Sequence, residues 1–529
     1  MILWLLAEAA QAGNFIPHET SIAERGVSLV GVVALVGLAW VLSTNRKAID
    51  WRPVVWGVGL QLFFGVLVLS PVGGLVWDAV LGMATAMGFE PSAELRSNGF
   101  FFTVVNGGVN KLLEFAGDGA SFVFQSVQPH MVFVPPAGSE NPVGDLFGGQ
   151  GAHQVFVGTE LGGISPPMKT FATWILPTII FFSALMSVLY HLGVMQVVVK
   201  VIARLMVRTL GTSGAESLSA AGNIFVGQTE APLLIRPFVD KMTKSELMAV
   251  MTGGFATVAG GVLGAYVAFL RDIPNIAGHL VVASILSAPA ALAIAKVMLP
   301  ETEVPMTRGE VTMPEDKPCS NFIEAAGRGA TDGMTLALNV AAMLIAIVAL
   351  VSAFDWAVSW VPVTFCSYSQ EMADGTRLSH SWTNTGYSCG VGDWSEANQG
   401  LTKASPLALA TMLGWLFAPI ALVMGVPYNE CLVVGRLLGE KIVLTEFIAY
   451  INLGMLINSP EAVLSERGAI ISSYALCGFA NFASIGIQLG GIGGIAPNRM
   501  GDLAEIGFRA MVGGVIAACM TGAVAGVFL

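Results

Sequence analysis

The chain has 529 residues, of which 54% are hydrophobic and only 12% are charged, and its formal net charge is −11. Because a soluble domain carries about 25% charged residues, this composition excludes an ordinary soluble protein, and apolar runs of spanning length recur throughout the chain. The acidic balance argues against nucleic acid as a partner, since neutralising phosphates requires clustered Lys and Arg. We therefore predict an all-α polytopic protein that crosses the lipid bilayer of the plasma (inner) membrane several times.

Residues 1–125 are predicted to form the N-terminal spans and an interfacial helix of a scaffold. Apolar runs at 27–42 and 54–69 are separated by a basic cluster that includes Arg46. By the positive-inside rule this cluster is cytoplasmic, which places the N-terminus outside. Polar residues interrupt the apolar run of 100–124, a pattern that suits an amphipathic helix lying in the interface.

The next part of the chain contains the first of two similar units. Residues 126–170 are rich in Pro, Gly and polar residues and are predicted to form an external loop. Residues 171–299 are predicted to form a first repeat, which contains a broken apolar segment at 215–238. Such a segment is tolerated in lipid only where it is buried in protein or lines a wet cavity, so we predict a re-entrant hairpin. A charged cytoplasmic linker follows at 300–329.

Residues 330–529 are predicted to repeat this plan with the opposite orientation. They contain an external loop at 354–404, in which Cys366 and Cys389 could pair if the loop faces an oxidising compartment. A second re-entrant hairpin is predicted at 406–430, where Gly and Pro break the apolar run. Basic residues before the last apolar run put the C-terminus outside. Broken segments at matching places in the two halves of a chain indicate the binding site of a secondary transporter.

Six polar side chains stand within apolar context in or after these broken segments. They are Gln228, Thr229, Glu230, Glu446, Asn481 and Ser484. Acids and mixed donor–acceptor groups suit a neutral, hydroxyl-rich solute with an amide-like edge, whereas an anion would call for Arg or Lys. An alternative for Asn481 and Ser484 is that they cap or cross-link helices.

Three uncharged oxygen atoms of the kind that coordinate cations lie in or after the first hairpin: those of the Asn223 side chain, the Val226 carbonyl and the Thr257 hydroxyl. Unwound backbone and such oxygens bind small hard cations in transporters, so a Na+ site is predicted. The alternative is that Asn223 only caps a hairpin helix. Proton coupling through Glu230 or Glu446 also stays open.

Four ordered motifs identify the family that this chain resembles. They are GNIFVGQTEAPLLIRP at 222–237, EFIAY at 446–450, ALCGFAN at 475–481 followed by Ser484-Ile-Gly, and APNRMGD at 496–502. Together they resemble the concentrative nucleoside transporters. The resemblance implies a homotrimer in which each protomer has about eight transmembrane helices, one interfacial helix and two opposed re-entrant hairpins related by an inverted repeat.

The resemblance also implies roles for individual residues. Gln228 and Thr229 would bind the nucleobase. Glu446, Asn481 and Ser484 would hold the ribose. The remaining assignments are Glu230 acting through water, Val262 and Phe479 as apolar contacts, and Na+ held at Asn223, Val226, Thr257 and Val258. The family has Asn where this chain has Thr445, which leaves the role of that side chain open.

The predicted function is therefore symport of nucleosides into the cell with a cation, Na+ or alternatively H+, by alternating access in an elevator-type movement. A carrier for another small polar solute is an alternative within transporters. A membrane enzyme using Glu230 and Glu446 as an acid/base pair is an alternative of another class, but no nucleophile motif or phosphate-binding loop supports it.

Overall fold

The structure is a computed structural model. It describes residues 15–70, 100–124, 131–134, 153–156, 176–309, 319–359, 364–368, 370–371, 377–378, 381–383, 402–406, 409–459 and 462–529.

Sixteen α-helices of different lengths make up most of these described residues. In chain order they are α1 Ile22–Val41, α2 Trp51–Leu69, α3 Phe100–Phe124, α4 Leu176–His191, α5 Val194–Leu210, α6 Gly214–Asn223, α7 Lys244–Ala256, α8 Gly260–Phe269, α9 Ile276–Met298, α10 Phe322–Ser359, α11 Leu409–Val423, α12 Cys431–Val443, α13 Glu446–Ile457, α14 Glu466–Leu476, α15 Phe482–Ile495 and α16 Met500–Phe528. The prediction of a helical polytopic fold is confirmed.

Five helical segments of the described residues are long and apolar enough to cross a membrane: α1, α2, α7 with α8, α9, and 497–528, which contains α16. Burial divides them into two groups. Only 28% of α1 and 33% of α2 is buried, whereas the figures are 94% for α7 with α8 and 89% for α9. Since lipid-facing helices expose apolar side chains, α1 and α2 lie at the periphery and α7, α8 and α9 form the centre.

The apolar helices α4 and α5 are bent by 79° relative to each other. The bend is at Gly193, whose positive φ of 82° suits glycine. After it, α5 buries Val199 and exposes 65% of Val197 and 58% of Val201. The apolar residues of α5 thus occupy two faces, one packed on the protein and one directed outward. The preceding helix, α4, ends at His191.

Each half of the chain contains a hairpin break followed by a broken helix. In the first half the backbone leaves helix after Asn223 and again between α7 and α8. In the second half one break lies at Leu444–Thr445, which separates α12 from α13. The other break lies between α14 and α15. The order of broken elements is therefore the same in both halves, as the inverted-repeat prediction requires.

The second hairpin break differs in position from the prediction. The chain does turn near Gly425, between α11 and α12, but there Arg467 donates to the Gly425 carbonyl and Ser465 donates to Glu430. That turn does not contribute to the central cavity. The break that does so is at Leu444–Thr445, 14 residues beyond the end of the predicted 406–430 hairpin.

The two regions predicted as external loops contain short strands in their described parts. These are β1 Met131–Val134, β2 His153–Phe156, β3 Thr364–Tyr368, β4 Gln370–Glu371, β5 Arg377–Leu378, β6 Ser381–Thr383 and β7 Thr402–Pro406. All pairings are antiparallel, with β3 between β6 and β7. Cys366 lies opposite Ser381, but Cys389 is outside the described residues, so the pairing of these cysteines stays a prediction.

A buried polar cluster fixes the base of the first hairpin. Ser213 and Glu216 form the capping box that begins α6, and a second capping box begins α7. Lys296 of α9 lies 2.8 Å from Glu216 and 3.3 Å from Glu301, and it donates to Ser245 of α7 at 3.0 Å. Lys296 of α9 is thus bonded to α6, to α7 and to the segment that follows α9, so the cluster ties the hairpin to its two neighbouring spans.

Candidate functional site

One cavity lies where the breaks of the two halves meet. Its volume is about 110 Å³, and it is lined mainly by residues at or beside the four breaks. All eight side chains predicted for the substrate line it: Gln228, Thr229, Glu230, Val262, Glu446, Phe479, Asn481 and Ser484. Residues far apart in sequence thus share one enclosure, although binding by them stays a prediction.

Glu446 is held by donors from both halves of the chain. The hydroxyl of Tyr266 donates to Oε1 at 3.0 Å and Asn481 Nδ2 donates to Oε2 at 2.8 Å. Glu446 is also the first residue of α13, where the free N–H groups of a helix favour negative charge. Its carboxylate is therefore fixed at the cavity wall with only part of its acceptor capacity in use.

The local structure explains why the polar residues stand at these breaks. Thr445 is the N-cap of α13 and accepts from the Ile448 N–H at 3.4 Å. Asn481 is the N-cap of α15 and accepts from the Ser484 N–H at 2.8 Å. Caps satisfy backbone donors that have no intrahelical partner, so the capping alternative for Asn481 holds together with its contact to Glu446. The structure also gives Thr445 a role, that of beginning the helix that carries the acid.

The tip of the first hairpin reaches the second half through Gln228. Its Nε2 donates to Ser484 Oγ at 3.3 Å, and its Oε1 accepts from Gln488 Nε2 at 3.0 Å. Thr229 and Glu230 follow it along the wall. A Cβ built on Gly227 would meet the Glu230 carboxylate, so this acid folds back over the glycine at the tip.

Several lining residues were not predicted from the sequence. Tyr266 lies on α8, and its ring stacks on Tyr450 with centroids 4.3 Å apart. Leu336 and Val340 of α10 complete the apolar wall with Val262. None of them interrupts an apolar run, so no local sequence signal marks them.

The four residues predicted for Na+ lie beside the same hairpin. Asn223 is fully buried, yet neither its Oδ1 nor its Nδ2 has a hydrogen-bond partner. A Cβ at Gly253 would lie 3.3 Å from Asn223 Nδ2, which puts Asn223 against the end of α7, where Thr257 and Val258 begin the break. Thr257 donates to the Gly253 carbonyl at 2.8 Å, and its hydroxyl oxygen keeps lone pairs for a further partner.

The residues present fit a small monovalent cation. An unpaired, buried amide oxygen is costly, and a cation would relieve that cost. The neighbouring hairpin backbone is held in place, because the Gly260 N–H donates to the Phe225 carbonyl at 2.9 Å and Ser284 donates to the Ile224 carbonyl at 2.8 Å. Val226, whose carbonyl is the fourth predicted ligand, follows directly in this held segment.

Comparison with known proteins assigns the chain to a family. Models of the Na+ dependent nucleoside transporter N-terminus, of nucleoside recognition and of the Na+ dependent nucleoside transporter C-terminus match residues 30–87, 172–272 and 279–526.

Curated relatives match over nearly all of this chain. An uncharacterized transporter of Haemophilus influenzae is 35% identical, with 95% of this chain and 97% of that protein covered. Sodium/nucleoside cotransporter 1 of Mus musculus is 34% identical over 100% of this chain and 66% of its own length.

Solved structures of CNTnw have the same fold. One, in an inward-facing substrate-bound state, is 35% identical, has a TM-score of 0.68 and covers 95% of this chain and 97% of that chain. A variant in an outward-facing state has a TM-score of 0.70, with 96% and 99% covered. The chain therefore belongs to the Na+-dependent, concentrative nucleoside transporter family.

Proposed function

We propose that this protein carries nucleosides into the cell together with Na+. The observation that carries the proposal is the cavity in which Gln228 of the first half and Glu446 of the second half share one wall with Asn481 and Ser484. The family and the mouse cotransporter are named for sodium and nucleosides, which supports this choice among polar solutes.

The proposed binding mode follows from the donors and acceptors of the site. Gln228 and Thr229 of the hairpin tip take the edge of the nucleobase. Glu446, Asn481 and Ser484 take the ribose hydroxyls. A site built to bond hydroxyls rejects analogues that lack them, because its own buried groups are then left unpaired. We therefore expect free nucleobases to be poor substrates.

The remaining walls complete the proposed mode. Val262 and Phe479 enclose the solute with apolar surface, while Glu230, at the exposed side of the cavity, acts through water. Among the lining residues that the structure describes there is no Lys or Arg, so a phosphate group would find no counter-charge there. Nucleotides are accordingly expected to be excluded.

Na+ is proposed to bind at Asn223, Val226, Thr257 and Val258. The support is the unpaired Asn223 amide beside the α7–α8 break and the uncharged oxygens around it. Coupling to H+ through Glu230 or Glu446 is the alternative that the test below separates.

Transport by alternating access is supported by CNTnw, which has been solved in both inward-facing and outward-facing states. We propose that a bundle containing the hairpins and the broken helices moves past a scaffold of the peripheral helices. A homotrimer in the plasma (inner) membrane with both termini outside completes the proposal. It is suggested by the positive-inside pattern and the family resemblance.

The deciding experiment is uptake of radiolabelled uridine into proteoliposomes, with imposed Na+ and H+ gradients in turn, for the wild type and Glu446→Gln. Accumulation driven by Na+ and abolished in the variant is expected. Accumulation driven only by the H+ gradient would mean that the coupled ion is H+ and not Na+. Uptake of succinate in place of uridine, or no uptake of either, would contradict the nucleoside assignment.

A further inference from the structure

A second buried glutamine stands behind Gln228. Gln488 of α15 is fully buried and uses its Nε2 twice, donating to the Met251 carbonyl at 3.1 Å and to Gln228 Oε1 at 3.0 Å. Gln228 in turn donates from its own Nε2 to Ser484 at 3.3 Å. A chain of hydrogen bonds thus runs from the backbone of α7 through Gln488 to the hairpin tip.

The order of donors and acceptors along these hydrogen bonds is set at the Met251 carbonyl. The Met251 carbonyl can only accept, so the end of the Gln488 side chain that faces it must be the NH2 group. The same NH2 group faces Gln228, which must therefore turn its oxygen toward Gln488 and its own NH2 group toward Ser484 and the cavity. A rotated Gln228 amide would bring two donors together and lose the bond.

The packing at this point leaves the pair little freedom. A Cβ built on Gly254 of α7 would lie 2.8 Å from Gln488 Nε2 and 3.0 Å from Gln228 Cβ. Both distances are shorter than ordinary contacts between carbon and these atoms. The two glutamines therefore pack closely against the backbone of α7, and a methyl group at residue 254 would displace them.

We propose that Gln488 is a positioning residue for nucleoside binding, which acts by holding the Gln228 amide in the orientation that the base requires. This inference rests on the proposed function, since it takes Gln228 as the group that meets the base. Gln488 itself is not among the cavity-lining residues, so it acts through Gln228 and not through the solute.

The test is a double-mutant cycle on uridine uptake by the full-length protein in proteoliposomes. Gln488→Leu is expected to raise the KM for uridine about tenfold, as the loss of one buried hydrogen bond in a binding site does, with the maximal rate within about twofold of wild type. In a Gln228→Leu background, the same Gln488→Leu change is expected to add nothing, because the group it positions is gone.

A matched control is available in Gln61 of α2. It is also fully buried and donates to a helix carbonyl, that of Leu286 at 3.0 Å, and to Thr521 at 3.3 Å. Gln61→Leu removes comparable bonds outside the cavity, so it is expected to lower the unfolding temperature in detergent without raising the KM.

The outcomes separate the two levels of the argument. If the wild type takes up uridine but the Gln488 and Gln228 effects add in the double variant, or Gln488→Leu leaves the KM unchanged, the positioning role is wrong. If Gln488→Leu does not fold, Gly254→Ala, which keeps both glutamines but displaces them, must raise the KM similarly, and an unchanged KM there refutes the role. If the wild type takes up no uridine, the proposed function fails first.

Discussion

Replacing Tyr266 by Phe removes a single oxygen from the cavity wall. The Tyr266 ring is buried between aromatic neighbours: it stacks on Tyr450 at 4.3 Å and meets Phe447 edge-on at 5.8 Å. These contacts do not involve the hydroxyl group. The substitution therefore leaves the packing in place and deletes the 3.0 Å bond to Glu446 Oε1.

The size of the effect follows from what Glu446 loses. Asn481 still donates to Oε2 at 2.8 Å, so the carboxylate keeps one of its two donors from side chains. A hydrogen bond to a charged group contributes about 1.5–3 kcal/mol, and each 1.4 kcal/mol corresponds to a factor of about ten in affinity. If the free carboxylate oxygen swings away from the position that the ribose needs, the KM for uridine should rise by about ten- to a hundredfold.

The assay is uridine uptake at saturating Na+, with the unfolding temperature measured in parallel. Tyr450→Phe is the matched control, because the Tyr450 hydroxyl donates to the Ser473 carbonyl at 2.8 Å, whereas the Tyr266 hydroxyl donates to Glu446. Both variants should lose stability, but only Tyr266→Phe should lose affinity. Equal changes of KM in the two variants, or none in Tyr266→Phe, would refute the view that Tyr266 positions the acid.

Three further substitutions test other parts of the molecule. Thr257→Val keeps the shape and removes the hydroxyl oxygen, so the Na+ concentration for half-maximal uptake should rise about tenfold, as for one lost ligand bond; an unchanged Na+ dependence would place the ion elsewhere. Lys296→Met leaves Glu216 buried without its partner, which costs about 3–5 kcal/mol and should lower the unfolding temperature, whereas adding Glu216→Gln should restore much of it. Gly227→Ala places a methyl group against the Glu230 carboxylate and should reduce uridine uptake at unchanged expression, and full activity would mean that the tip relaxes freely.

The polar part of the site could be predicted because each residue interrupts an apolar run within a short motif. Gln228, Thr229 and Glu446 are costly in lipid, so their positions alone suggest function. Tyr266 gives no such signal, and Gln488 gives a weaker one. A tyrosine or glutamine in a packed helix is more often a structural contact, and their roles depend on partners that lie 180 and 260 positions away in the chain.

The position of the second hairpin break could not be predicted from Gly and Pro. Pro419, Gly425 and Pro427 mark the predicted segment, yet Pro419 lies inside α11 and the Gly425 carbonyl accepts from the buried Arg467 side chain, away from the cavity. The break at Leu444 and Thr445, which borders the cavity, contains neither residue type. It forms because a threonine cap begins a new helix there, and a cap signal is weak within an apolar sequence.

The positions of the residues proposed to bind Na+ and the nucleoside bear on how the binding of the two is coupled. Asn223 precedes Gln228 by one short non-helical turn, so the proposed ligands for Na+ and for the base share one hairpin tip. The same tip is bonded to α7, since Gln488 links Gln228 to the Met251 carbonyl six residues before Thr257. If either ligand orders this tip, it must raise the affinity for the other by the same factor. The coupling then needs no contact between the ion and the solute, only a tip that is less ordered when both are absent.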